Sequence, residues 1–146
     1  MVKNGNEKEK KLLELEEVFQ EVARNIASRI FQCSDHGLTH PQFFMLKRLV
    51  SGPATVSEVA EYLGVSLSAI TSMADRLVKS QYVIRSRSEQ DRRVVWLELT
   101  DIGRKVLKES AIKRREVLHS LLGRLPENDL TLLHGIYTKL LGLMKE

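Results

Sequence analysis

The stretch from Ser57 to Thr100 constrains this chain more than any other part of it. It reads as a short helix, a tight turn at Leu63-Gly64-Val65-Ser66, a second helix over Ser66–Ser80, and two strands joined by a tip that holds Asp91-Arg92-Arg93. A helix suited to lie in a groove, followed by a basic hairpin, is the layout of a DNA-reading module. Ser57 is placed to cap the first helix, Glu58 to Leu63, with an acid beside the positive end of the helix dipole. Gly64 permits a left-handed turn, and Ser66 caps the next helix. That helix has an apolar face of Ile70, Met73, Ala74, Leu77 and Val78. Its opposite face, Ser68, Thr71, Ser72, Arg76 and Lys79, combines small hydroxyls with two cations and can approach a polyanion closely. Tyr82–Arg87 and Arg92–Leu99 alternate with the period of strands, with Val95, Leu97 and Leu99 facing inward. Ala54-Thr55-Val56 is short and extended, which suits a third, minor strand.

The charge is concentrated in the same place. The whole chain carries +4, a mild excess that alone says little about partners. Between Arg76 and Arg93 six cations face only two acids, Glu89 and Asp91, so one short segment also nets +4. The bland reading of such a run is a solvated basic face. Its coincidence with the helix-turn-helix pattern favours an anionic partner.

The flanks are helical. Leu12, Leu15, Phe19, Val22, Ile26 and Ile30 stripe a long helix over about residues 7–32. Cys33 to Thr39 break it. Thr39 caps the next helix, with Pro41 in its first turn and Phe43, Phe44, Leu46, Leu49 and Val50 inside. Thr100-Asp101 opens a helix that runs to Leu122, and Gly123 and Pro126 end it. The last helix, Glu127–Lys145, carries Leu130, Leu133, Tyr137, Leu140 and Met144 on one face. The fold class is therefore mainly α, of α+β type, with about six helices and a two- to three-stranded wing. At 146 residues, 42% of them hydrophobic, it is one domain, 1–146, able to build a core. The terminal stripes exceed what the small centre can cover. A second copy of the chain would bury them, and a two-fold reader of duplex DNA needs one; mutual packing within one chain is the alternative.

No apolar run reaches the ~20 residues of a membrane span. Met1–Lys11 lacks the apolar stretch of a secretion signal, and the lone Cys33 allows no internal disulfide, so a cytoplasmic location is expected. There is no Gly-rich phosphate loop and no metal-protease motif. His119 and His134 lie on apolar-rich helices without a nucleophile or carboxylate arrangement. Neither an enzyme nor a cofactor is expected. Cys33, His36 and His40 have ligand-like spacing but no evident fourth ligand, so no metal site is assigned to them. Cys33 is expected to be a small, partly buried apolar residue instead.

Several of these segments together resemble the MarR family of transcription regulators: Leu38-Thr39-His40-Pro41-Gln42-Phe43, Val59 to Ser66, Ile70 to Leu77, Asp91-Arg92-Arg93, and Leu97-Glu98-Leu99-Thr100 with Gly103. The resemblance spans nearly the whole chain. It implies a winged helix-turn-helix lobe over about residues 38–100, with about 7–32 and 101–146 forming the dimerisation helices of a homodimer. It also implies a near-palindromic operator in double-stranded DNA and repression of the genes under its control. Ser66, Ser68, Ala69, Thr71, Ser72 and Arg76 would then lie on the recognition helix, and Arg93, oriented by Asp91, would be the minor-groove residue of the wing. Many members have a proline before the Asp-x-Arg element, where this chain has Ser88-Glu89-Gln90. The family also implies release by a small phenolic or other lipophilic effector, with Phe31, Phe43 and Phe44 as walls; plain core packing is their alternative role.

The chemistry of these residues suits the assignment. Ser66 opens a helix whose free N–H groups can bind phosphate. Ser68, Thr71 and Ser72 offer hydroxyls to base edges, and the Thr71 methyl matches a thymine methyl. Arg76 fits a guanine or a phosphate, with a salt bridge to a neighbouring helix as its alternative. Arg85, Arg87 and Arg92, like Lys79, suit the backbone. A non-specific architectural DNA-binding protein would share the basic wing without preferring one sequence.

Overall fold

Thr39, Thr55, Ser66 and Thr100 each start a helix with their own hydroxyl, which accepts a hydrogen bond from the backbone N–H three residues on. The computed structural model describes residues 3–145. In chain order these form α1 (Lys3–Gln32), α2 (His40–Leu49), β1 (Ala54–Thr55), α3 (Val56–Leu63), α4 (Leu67–Lys79), β2 (Val83–Arg87), β3 (Val95–Leu99), α5 (Asp101–Leu122) and α6 (Glu127–Leu143). The three strands make one antiparallel sheet in the order β1-β3-β2. The expected minor strand is therefore present, with Ala54 opposite Leu97.

Several boundaries differ from the sequence reading: α1 begins at Lys3, Val56 opens α3 instead of extending β1, and α6 ends at Leu143. The cap of α3 is Thr55, not Ser57. Glu58 lies three residues after Thr55, and the two close a reciprocal box: Glu58 N–H donates to Thr55 Oγ1 at 3.2 Å, and Thr55 N–H donates to Glu58 Oε2 at 2.7 Å. Those bonds hold the exposed Glu58 carboxyl below its ordinary pKa. The second wing strand begins at Val95, because Arg92 to Val94 belong to the turn.

One core serves α2, α3, α4, the sheet and the start of α5. Met45, Leu46, Leu49, Val59, Ile70, Leu77, Val83 and Leu97 are fully buried in it. Val106 and Leu107 join it from α5, so the core of this lobe reaches past Thr100. Gly103 makes the junction possible: a Cβ there would collide with the Tyr82 carbonyl and the Leu99 side chain. That position belongs to a locked corner, where Thr100 N–H donates to the Tyr82 carbonyl and Thr100 Oγ1 to the Gln81 carbonyl.

The turn between α3 and α4 is a left-handed cap on Gly64, at φ 64° and ψ 34°. The far end of α4 closes the same way. Tyr82 N–H reaches the Leu77 carbonyl and Gln81 N–H the Val78 carbonyl, but the left-handed residue there is Gln81, at φ 63°. Outside the lobe, α1 lies along α5, and α6 buries none of its residues.

Candidate DNA-binding surface

The outer face of α4 is built by the same periodicity that sinks Ile70, Ala74 and Leu77 into the core. Ser66, Ser68, Ala69, Thr71, Ser72, Arg76 and Lys79 all stand exposed on it. Their hydroxyls are not equivalent. Ser66 Oγ accepts from Ala69 N–H at 3.2 Å and lies 3.1 Å from Ser68 Oγ, so it is occupied as the cap. Thr71 Oγ1 donates to the Leu67 carbonyl at 2.9 Å, which fixes the rotamer. Arg76 and Lys79 take no part in any ion pair among the described residues, so the neighbouring-helix salt bridge considered for Arg76 does not form.

The wing tip is ordered by side chains where a proline is absent. Ser88 Oγ accepts from Gln90 and Asp91 N–H, and Asp91 Oδ1 accepts from Arg93 N–H at 2.9 Å. The same carboxylate oxygen takes Arg93 Nε at 3.2 Å. Asp91 thus holds both ends of Arg93, whose side chain is 92% exposed. Arg87 and Arg92 are also exposed. Arg85 behaves differently: it turns from β2 toward α4, where Nη1 pairs with Asp75 Oδ1 at 2.7 Å and Nη2 donates to the Thr71 carbonyl at 3.4 Å. It is thereby tied into the protein rather than presented to solvent like Arg87 and Arg92. Between helix and wing lies an open cleft of about 470 Å³, lined by Thr71 on one side and by Arg85, Arg87 and Arg93 on the other.

The sequence model of the MarR family matches residues 38–95, the lobe and most of the wing. Over 130 residues the chain is 31% identical to the HTH-type transcriptional regulator YpoP of Bacillus subtilis, an alignment covering 88% of this chain and 92% of that protein. The chain belongs to the MarR family. This MarR-family transcriptional regulator is also 33% identical over 129 residues to the HTH-type transcriptional repressor MdtR of Bacillus subtilis, covering 88% of its own length and 81% of the relative's. Its backbone matches that of a MarR family protein from Bacillus stearothermophilus with a TM-score of 0.77 at 26% identity, over 94% and 98% of the two chains. The winged helix-turn-helix expected from the motifs is its fold.

The other candidate residues of this MarR-family chain separate. His36 Nε2 meets Glu109 Oε2 at 2.6 Å, and His40 Nδ1 accepts from Arg114 Nη2 at 3.2 Å. Cys33 is exposed at the end of α1, contrary to the partly buried apolar role expected of it, because the helix stops there at the surface. The Cys-x2-His-x3-His spacing therefore does not become a cluster, and no three potential ligands gather among the described residues. Phe43 is buried and Phe44 half-buried, with the Arg114 guanidinium 4.3 Å from the Phe43 ring and 5.3 Å from the Phe44 ring. Phe31 is exposed on α1 and makes no ring contact with them among the described residues. No helix among the described residues is long and apolar enough to cross a membrane.

Asp75, Gln81, Ser88, Glu109 and Arg114 were not singled out from the sequence. Asp75 carried a usable signal, as the only acid on a helix meant to face a polyanion. Glu109 and Arg114 meet His36 and His40 only through the tertiary fold, whereas Ser88 and Gln81 act locally, in the wing turn and at the end of α4.

Proposed function

We propose that two copies of this regulator bind a near-palindromic operator in double-stranded DNA and repress transcription from it. The observation that carries the reading is the shared cleft, which sets the exposed face of α4 beside the wing-tip arginine. Ser68, Ala69, Thr71 and Ser72 read base edges, Arg76 makes the strongest single contact, and Lys79, Arg87 and Arg92 hold the backbone. Arg93, tethered by Asp91, enters a narrow minor groove, where the negative potential is enhanced. The N–H groups opening α4 behind Ser66 take a phosphate. Repression is supported by the likeness to the repressor MdtR.

The homodimer forms through about residues 7–32 and 101–146, with the DNA-binding lobe over about 38–100. Support comes from the apolar residues left uncovered at both ends: Leu12, Leu15, Val18 and Phe19 on α1, and Leu132, Ile136, Leu140 and Leu141 on α6. A small lipophilic or phenolic effector releases the DNA by favouring a dimer whose recognition helices are wrongly spaced. The groove of about 410 Å³ that Phe44 shares with His40, Pro41, Tyr62, Leu63 and Val65 supports this part of the reading.

Selection of duplexes from a random pool by the purified protein, followed by competition with unrelated DNA, tests the proposal. A selected sequence with two-fold symmetry should emerge and resist competitor. Its affinity should fall steeply with salt, at ~0.9 in log–log slope per neutralised phosphate. Equal competition by random duplex would identify the architectural alternative instead.

A further inference from the structure

The recognition helix carries one acid, Asp75, one turn beyond Thr71 and beside Arg76. Close to a polyanion, a carboxylate costs affinity unless it does something that outweighs the repulsion. Its partner is Arg85 of β2, reached at 2.7 Å. The same guanidinium donates to the Thr71 carbonyl at 3.4 Å, so it grips both ends of a single turn of α4. Arg85 itself has little freedom: its side chain is 31% exposed, its Nε is buried, and its backbone is opposite Leu97 in the centre of the sheet. The pair therefore joins the two surfaces that flank the cleft, the recognition helix and the wing.

We propose that Asp75 is a positioning residue for DNA reading. Through Arg85 it fixes the distance and tilt between α4 and the wing, so that base contacts from the helix and the minor-groove contact from Arg93 are made in one register. It also withholds Arg85 from the phosphates, which suppresses binding that carries no sequence information. The inference rests on the DNA-binding reading above.

The test uses the full-length protein, the duplex that the wild type selects from a random pool, and a random-sequence duplex of equal length, titrated at several salt concentrations. Asp75→Asn removes one negative charge from the DNA-facing helix at nearly constant shape. Simple electrostatics predicts tighter binding to both duplexes. The strut predicts opposite movements: weaker binding to the selected duplex by about tenfold, the loss of roughly one good base contact, and tighter binding to the random one. The salt slope should steepen by ~0.9 as the released Arg85 finds a phosphate. Arg85→Gln should weaken binding to the selected duplex without steepening the slope. Partial unfolding would weaken both duplexes together, and melting curves of both variants record it separately. Asp75→Asn binding the selected duplex as tightly as wild type, or tighter, overturns the strut. A wild type that enriches no sequence overturns the DNA-reading proposal itself, and the strut with it.

Discussion

Arg93 is held to Asp91 twice, by its backbone N–H and by its Nε, both on the same carboxylate oxygen. An exposed ion pair of this kind contributes little to stability. Its effect is on conformation, since it restricts a long side chain that would otherwise lose rotamer freedom on binding. Arg93→Ala is therefore expected to leave the melting temperature unchanged. It should weaken binding to a selected duplex by about 1–3 kcal/mol, the range for an arginine that reaches into a groove. Gel-shift titration beside a melting curve checks both halves. Unaltered affinity would remove the wing tip from the binding surface.

The two ends of the helix-turn-helix close with the same left-handed cap, one on Gly64 and one on Gln81. Glycine adopts this conformation without strain, whereas a residue with a Cβ is disfavoured by roughly 1–2 kcal/mol. Neither the backbone bonds of the cap nor the Thr100 bond to the Gln81 carbonyl needs the glutamine side chain. Gln81→Gly should stabilise the fold by about 1 kcal/mol, less the extra chain entropy that glycine brings to the unfolded state. Denaturant unfolding measures it, and a lower midpoint would mean that the glutamine side chain contributes more than its backbone strain costs.

How much of this was legible in the sequence follows from how local each feature is. Helix periods, the Gly64 turn, the Ser66 and Thr100 caps and the alternation of Leu97 and Leu99 depend on neighbours in the chain, and each appears where the pattern put it. The cap of α3 was missed although the sequence carried its signal: Glu58 follows Thr55 at the capping-box spacing, whereas Ser57 has Ala60 three residues on. The surface residues of α4 were readable as the polar side of an amphipathic helix. The fate of Arg85 was not, because its partner Asp75 lies ten residues away on another element. Cys33, His36 and His40 show the converse. Their spacing resembled a ligand set, yet His36 and His40 turn to Glu109 and Arg114, more than seventy residues on.

At the start of α2, His40 Nδ1 accepts from Arg114, a group that only donates, while its ring packs 4.7 Å from that of Phe44. Burial, and then the charge of Arg114, hold the His40 pKa below its ordinary value of 6.5. The sign follows. The unfolded chain takes up this proton at higher pH than the folded one, so stability is lost as pH falls below the unfolded value. The loss levels off once pH passes below the folded one. On acidification from neutral pH the wild type should lose more stability than His40→Asn, and the His40 ring should titrate below the unfolded-chain value by NMR. A midpoint at or above the ordinary value would show that neither the burial of the ring nor the Arg114 contact persists in solution.

Helix α6 has no core of its own to protect. None of its residues is buried, yet Leu132, Ile136 and Leu140 repeat at every fourth position and stand from 42% to 64% exposed. A single apolar row of this length on a helix that ends the described chain is stable in water only when another surface covers it. The row on α1, from Leu12 to Val22, is open in the same way. If the two rows meet their counterparts in a second copy, a charge placed in the row must be desolvated on association. Ile136→Glu should therefore convert the proposed dimer to monomer in sedimentation equilibrium. The melting of the central lobe should persist, because its core runs from Leu38 to Leu107 and takes nothing from α6. Binding to a two-half-site duplex should weaken far more than binding to a half-site, since the link between the two lobes is lost. A variant that sediments as a dimer with unchanged dissociation would place the subunit contact elsewhere.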